Sequence, residues 1–278
     1  MNISAWTKKI RQNSQIGLGF TLSAGILLLA LLGPWLAPHS PLDLVGPRYG
    51  SPDANALLGY DYLGHDVWSR LLSGGLSLVW MSIAASVIAL VSGALIGMVA
   101  GFFRGRIDQT ILWWSDVFLA FPNLILILLV VAMLGRDPWL IVIIVSIAFL
   151  PGVIRLSRSI TLGIAQQEYI EATTMMGYST YRILLREILP NISMPLLIHL
   201  GTMLSWAVGI LAGLSFLGYG VEPPAADWGL MVNENRAGLQ IQPYAVLAPA
   251  ILIALFALGT NLLAEGLGRA QSGIKEAR

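Results

Sequence analysis

The chain has 278 residues, of which 56% are apolar or aromatic and only 11% are charged, with a formal net charge of +1. Because an average soluble domain is about 25% charged, this composition excludes a disordered chain, a nucleic-acid-binding protein and an ordinary water-soluble enzyme. The absence of Cys excludes a disulfide framework, a thiolate metal site and a Cys nucleophile. The composition therefore predicts an integral membrane protein.

Segments without Asp, Glu, Lys or Arg mark the membrane spans, because a charge at the bilayer centre is costly and a spanning helix needs about 20 apolar residues. Six such segments occur, at 12–42, 71–103, 117–135, 138–154, 188–221 and 237–264. Each is predicted to hold one transmembrane helix, which makes the chain all-α and polytopic. The segments at 71–103 and 188–221 exceed one span, and we interpret their excess as interfacial or re-entrant chain.

The Lys and Arg residues are distributed unequally between the two sides of these spans. Twelve of the 16 precede the first span, follow the second or fourth span, or lie near the C-terminus. Because short cytosolic segments are enriched in Lys and Arg, both termini are predicted to be cytosolic. The apolar stretch after Arg11 resembles a signal peptide, but it is long enough to span, and Pro38 after Ala37 is a poor cleavage junction.

This topology divides the chain into five parts. They are a cytosolic N-terminus (1–16), a first transmembrane helix (17–37), an external loop (38–70), a five-helix core (71–270) with a cytosolic loop at 155–190, and a cytosolic tail (271–278). The external loop contains several Pro and Asp residues. We interpret it as an ordered cap or a partner-facing loop, with a simple connector as the alternative.

The cytosolic loop at 155–190 contains a predicted helix–glycine–helix unit. Good helix formers run from Glu168 to Met176, and Gly177 is expected to end that helix. An amphipathic segment follows, and Pro190 is predicted to mark the start of the next span. The apolar side of the unit must pack on the membrane interface, on the chain's own helices or in a groove of another protein.

The sequence of this loop resembles the EAA loop of importer-type ABC transporter permeases. Glu171, Ala172, Gly177, Leu189 and Pro190 fall in register with that family's pattern. Thr173 replaces the second Ala, and Ile188 lies one position later than the Ile of the pattern. The resemblance implies that the loop is the contact for ATPase subunits.

Three further segments, 57–74, 116–126 and 214–229, are similar to the dipeptide/oligopeptide/nickel branch of these permeases, second-subunit type. The residues that match or mark the external segments are Asp61, Gly64, Asp66, Arg70 and Trp228. Tyr60 replaces a usual Thr and His65 a usual Arg, which separates this chain from the pattern in the external loop.

The resemblance implies a type I ABC importer permease fold in the bacterial inner membrane. It also implies as partners a second permease, two cytosolic ATPases that bind ATP and Mg, an external solute-binding protein and the lipid bilayer, with no nucleic acid. This chain is expected to hydrolyse nothing and to bind no cofactor, since it contains no Gly-Lys-Ser/Thr phosphate loop. The expected solute is a di- or oligopeptide, with nickel or another metal as a chelate or an opine as the alternative.

Candidate pathway residues lie in the fifth span, where Met203 and Trp206 could form a gate. His199 could contact the solute, but a single histidine without acidic neighbours is a poor metal site, so no metal site is predicted. A self-sufficient channel or secondary carrier is the rival class. The absence of Asp, Glu, Lys and Arg from the spans argues against proton coupling.

Overall fold

The computed structural model describes residues 14–275, with side chains described for 14–270. Within these residues the chain is almost entirely helical and has no β-strand. Two isolated β-bridges, Leu44–His65 and Tyr60–Asp66, occur in the loop before the second span. The predicted all-α fold class is therefore confirmed.

The helices have the following bounds, numbered in chain order within the described residues. They are α1 (Ser14–Leu36), α2 (Val67–Ser73), α3 (Gly75–Phe103), α4 (Gly105–Leu119), α5 (Asn123–Leu134), α6 (Pro138–Ile164), α7 (Glu168–Met175), α8 (Thr180–Phe216), α9 (Trp228–Asn235) and α10 (Tyr244–Lys275). A 3₁₀ turn, Arg236–Gly238, follows α9. Predicted segment 1–16 lies mostly outside the described residues, and the predicted tail 271–278 begins inside α10.

In the part of the chain that the structure describes, five stretches are long and apolar enough to cross a membrane, namely α1, α2 with α3, α6, α8 and α10. The second and fourth of these, Val67–Phe103 and Thr180–Phe216, each contain 37 residues. At 1.5 Å per residue each is about 55 Å long, whereas the hydrocarbon core is about 30 Å thick. Most of the excess length is thus helical, which contradicts the interpretation as re-entrant chain, whereas the interpretation as interfacial chain stays a prediction.

The predicted third span at 117–135 is broken. It covers the end of α4 and all of α5, and these helices meet at an angle of 81° around Pro122, which lacks a backbone N–H. The 12 residues of α5 reach only about 18 Å. A sixth crossing therefore exists only if α4 and α5 together count as one bent span.

The structure shortens both long loops of the predicted topology. The external loop ends at Asp66, because α2 begins at Val67. The cytosolic loop covers only 165–179, because α6 continues to Ile164 and α8 begins at Thr180. Pro190 consequently lies inside a helix rather than at its start.

A π-helical turn accommodates Pro190 within α8. The turn covers Ile183–Ile188, and the Leu189 N–H donates to the carbonyl of Leu184, five residues earlier. Proline in an α-helix lacks one hydrogen bond and clashes with the carbonyl four residues before it. The wider π turn relieves this conflict, so the amphipathic segment and the fifth span form one helix.

The most extensive helix contact joins α3 to α6. Gly93, Gly97 and Gly101 lie four residues apart on α3, and a Cβ on Gly93 would lie 2.6 Å from the Cβ of Val153. A Cβ on Gly101 would lie 2.8 Å from the carbonyl oxygen of Arg158. Small residues at this spacing permit close helix approach in membranes. The three glycines therefore allow α3 and α6 to pack closely against each other.

Two hydrophobic cores lie at opposite ends of the spans. One combines side chains of α1, α3, α5, α6, α8, α9 and α10, and includes the fully buried Trp228. The other combines α3, α6 and α8 with Ile170 of α7. The short helices α7 and α9 are therefore each fixed to one end of the helical bundle.

Candidate functional site

The helix α7 forms where the sequence predicts it. It runs from Glu168 to Met175, and Gly177 adopts a left-handed φ of +76°. This conformation favours glycine and ends the helix, as expected. The helix–glycine part of the predicted unit is confirmed, with its end one residue before the predicted Met176.

A single side chain attaches α7 to the rest of the chain's core. Ile170 is 2% exposed and packs in the same cluster as Ile183 and Ile188 of the π turn. Asn191 Nδ2 also lies 3.4 Å from the Tyr169 hydroxyl and links α8 to α7. Of the three expected packing partners for the apolar side, the structure shows the chain's own helices.

The remaining surface of α7 is open to solvent. Glu171, Ala172 and Gly177 are exposed, and the Met175 and Met176 side chains are 79% and 71% exposed. A cleft of about 440 Å³ adjoins this surface, lined by Phe102, Arg104, Ala165, Gln166, Ile170, Glu171 and Thr174. This acidic and methionine-rich surface, which we call the α7 face, has the composition of a protein-contact surface.

Leu189 and Pro190 do not belong to the α7 face. Leu189 packs against the core that holds Ile170, and Pro190 is exposed on α8 just after the π turn. Ile188, the residue displaced by one position from the family pattern, is fully buried. Glu171, Ala172 and Gly177 thus belong to the exposed α7 face. Leu189 and Pro190, at the end of the motif, lie in α8, the helix of the fifth span.

The external motif residues form a tight turn around one carboxylate. Asp61 Oδ1 accepts hydrogen bonds from the backbone N–H groups of Leu63, Gly64 and His65, each at 2.9 Å. Gly64 has a φ of +98°, which explains the glycine at this position. The other carboxylate oxygen, Oδ2, lies 2.9 Å from His65 Nδ1 and 2.5 Å from Arg70 Nη1.

Arg70 connects this turn to α9. Its Nη2 lies 3.0 Å from Glu234 Oε2, and the side chains of Asp61, Arg70 and Glu234 are 0%, 2% and 9% exposed. Tyr62 adds two bonds, from its hydroxyl to Glu234 Oε1 at 3.2 Å and from its backbone N–H to Asn235 Oδ1 at 2.9 Å. The turn, α2 and α9 are therefore joined by a buried ionic network.

The network shifts the pKa values of its acids in opposite directions. Burial alone would raise the pKa of Asp61, but hydrogen bonds from Arg70 and His65 lower it below its ordinary value. Burial raises the pKa of Glu234, and the charge of Arg70 only partly offsets this effect. Burial and the neighbouring Glu234 raise the pKa of the Tyr62 hydroxyl to about 12.

Asp66 and Trp228 complete the attachment of the external loop and α2 to α9. Asp66 caps α2 by accepting from the backbone N–H groups of Trp68 and Ser69. Trp228 is fully buried, and its Nε1–H donates to the carbonyl of Leu71 at 2.8 Å. Trp228 therefore lies inside the protein rather than at the lipid interface, and the matched external residues fix the loop internally.

Sequence reasoning missed Glu234 and Asn235. They follow Trp228 in the chain but lie 164 or more residues from the Arg70 segment that they contact. No sequence spacing relates residues so far apart, so their contact with the Arg70 segment is visible only in the tertiary structure. The two substituted motif positions, Tyr60 and His65, are also buried.

The three candidate pathway residues have different environments. Met203 is 4% exposed and packs in the core, whereas Trp206 is 71% exposed. His199 is half-buried. Its carbonyl accepts from the Thr202 hydroxyl, and its imidazole has no hydrogen-bond partner among the residues that the structure describes. Of the three, Trp206 offers a surface to a solute or a neighbouring subunit.

Comparison with known proteins defines the family. The family model described as "Binding-protein-dependent transport system inner membrane component" matches residues 93–272. A glutathione transport system permease protein of Pectobacterium atrosepticum is 33% identical over 267 residues, covering 94% of this chain and 87% of the relative. A di/tripeptide transport system permease protein of Pseudomonas aeruginosa is 35% identical over 249 residues, covering 87% and 82%.

A solved structure agrees with this assignment at the level of the fold. A chain of the MetNI methionine ABC transporter, in an inward-facing conformation, matches with a TM-score of 0.51 at 17% identity, covering 69% of this chain and 93% of that one. The chain therefore belongs to the family of binding-protein-dependent transport system inner membrane components. It is an all-helical, multi-pass membrane protein of the ABC importer permease class.

Proposed function

We propose that the chain is a permease subunit of an ATP-driven importer of di- or oligopeptides. The functions named for its relatives, glutathione and di/tripeptide transport, support a peptide substrate. They favour this substrate class over nickel or another metal chelate. Family membership supports transport through a binding-protein-dependent complex over a self-sufficient channel or carrier.

The observation that carries the mechanism is the attachment of α7. This helix presents Glu171 and Ala172 to solvent while Ile170 is buried against the π turn of α8. A force applied to the α7 face by a closing ATPase would therefore reach the fifth span through packed side chains, since a packed core transmits displacement rather than absorbing it. We infer that α7 is the coupling helix.

The proposed complex contains a second permease, two cytosolic ATPases that bind ATP and Mg, and an external solute-binding protein. The charge distribution supports cytosolic termini and a cytosolic α7. The 37–66 loop and α9 then lie on the external side. Because the external motif residues are buried, the exposed parts of this loop would meet the binding protein.

Uptake of a labelled dipeptide by the complete transporter in proteoliposomes tests the proposal. Glu171→Lys places a base in the exposed α7 face, so we expect loss of uptake with normal insertion and normal thermal stability. Glu222→Lys is the matched control, because Glu222 is equally exposed at the opposite end of the bundle. Normal uptake by Glu171→Lys, or equal losses in both variants, contradicts the coupling assignment.

The substrate class is tested separately. Tryptophan fluorescence or calorimetric titration of the cognate binding protein with dipeptides and with nickel chelates identifies its ligand. Uptake of a nickel chelate but of no peptide by the unmutated transporter would refute the peptide assignment and leave the coupling mechanism intact.

A further inference from the structure

The buried network around Arg70 has an unbalanced formal charge. It contains two carboxylates, Asp61 and Glu234, but only one permanent cation, the Arg70 guanidinium. With both carboxylates ionised, these three side chains carry a net charge of −1. Because an uncompensated buried charge is expensive, the network is neutral only when it holds one additional proton.

Glu234 can hold that proton, because its buried carboxyl shares the single Arg70 guanidinium with Asp61 and burial raises its pKa. His65 Nδ1 lies 2.9 Å from Asp61 Oδ2, so Asp61 has a polar partner in the imidazole that Glu234 lacks.

The proton lies at the junction of three elements. The charged and titratable side chains that face it are Asp61, Tyr62 and His65 of the loop, Arg70 of α2 and Glu234 of α9. Asp66 and Arg48 flank the junction, Asp66 as the cap of α2 and Arg48 through a bond to the Tyr62 carbonyl. The same contacts fix the 37–66 loop onto α9.

We propose that this network is a proton-binding site, in which one proton on the buried Glu234 carboxyl completes the charge balance and holds the 37–66 loop on α9. A rise in pH on that side of the membrane removes the proton, leaves a net negative charge in the buried junction and favours release of the loop. The bound ligand is the proton itself, and its effect is regulatory.

The sign of the pH dependence follows from linkage. The attached state binds one more proton than the released state, so the attachment weakens as pH rises, by at most tenfold in the opening constant per pH unit. At the acid end the lowered pKa of Asp61 gives the opposite effect. The stabilisation of the attached loop by ionised Asp61 is fully present above the ordinary Asp pKa of 3.8. It is lost as pH falls through the lowered pKa of Asp61.

Hydrogen–deuterium exchange of the complete, detergent-purified transporter tests the site without depending on uptake. The measured quantity is the protection of amides in 44–66 from pH 4.5, the ordinary pKa of a Glu carboxyl, up to alkaline pH, corrected for the intrinsic exchange rate. The Tyr62 amide, which is bonded to Asn235, is the most direct probe. We expect protection to fall with rising pH, approaching tenfold per unit.

Three variants distinguish the effect of net charge on amide protection from the effect of losing a hydrogen bond. Glu234→Gln makes the network neutral without the extra proton, so its protection should become independent of pH. Tyr62→Phe removes a hydroxyl bond to Glu234 but no charge, so its protection should fall uniformly with the pH slope retained. His39→Gln, which changes a histidine of the same loop outside the network, should behave as the unmutated protein.

A pH slope that persists in Glu234→Gln overturns the proposal, as does a slope that disappears in His39→Gln. If Glu234→Gln does not assemble, the unmutated transporter still decides the question, because pH-independent protection of 44–66 contradicts a titrating junction.

Discussion

The buried Arg70 guanidinium offers the sharpest test of what holds the 37–66 loop. Replacing Arg70 with Met keeps a side chain of similar length but removes the cation that lies 2.5 Å from Asp61 and 3.0 Å from Glu234. Both buried acids then lose their one permanent cationic partner. Breaking a buried ion pair in this way destabilises proteins by about 3–5 kcal/mol, equivalent to roughly two to three and a half powers of ten in an opening equilibrium.

Arg155→Met is the matched control. Arg155 pairs with Asp116, but the two side chains are 50% and 60% exposed, and exposed pairs contribute about 0–1 kcal/mol. Thermal unfolding of the two purified variants, together with exchange of the 44–66 amides, compares the substitutions directly. Equal shifts in Tm, or unchanged protection of 44–66 in Arg70→Met, would show that the buried network does not hold the loop.

Two further predictions concern packing and topology. Gly75→Ala should lower the stability of the folded protein by about 1–3 kcal/mol, because a Cβ there would lie 2.4 Å from the Trp228 ring. Gly152→Ala is the control, since its Cβ would meet no atom within 4 Å and the change should be neutral or stabilising. Thermal unfolding that ranks the two variants in the reverse order contradicts this packing. The chain lacks Cys, so a single introduced cysteine reports on which side of the membrane it lies. A membrane-impermeant thiol reagent applied outside cells should label Ser51→Cys and should not label Ser179→Cys. The opposite pattern refutes cytosolic termini.

The α7 face and the buried network lie at opposite ends of the helical bundle. One attaches to the π turn at the beginning of α8, and the other holds α9, which follows the end of α8. Because α8 runs continuously between them over 37 residues, a shift of α7 and a release of the loop from α9 occur at the two ends of the same helix. The proposed proton site would therefore influence the span that the ATPases are proposed to move.

Long apolar segments and α7 could be predicted from sequence because their causes are local. A charge-free stretch of spanning length has few alternatives in a bilayer. Gly177 ends α7 through its own φ of +76°, and residue type alone indicates that conformation. The match of Glu171, Ala172 and Gly177 to the EAA pattern was likewise visible without tertiary information.

Three features required the tertiary structure because each depends on non-local packing. Pro190 continues a helix, since the π turn before it is stabilised by burial of Ile183 and Ile188. The α4–α5 break gives no signal in apolarity, because both sides of Pro122 are apolar. Glu234 pairs with Arg70 across 164 residues, a distance over which sequence spacing carries no geometric information. Composition and local conformation thus determined the membrane class, most spans and the helix α7, whereas the fold alone decided which charges meet, because burial brings together residues that the chain separates.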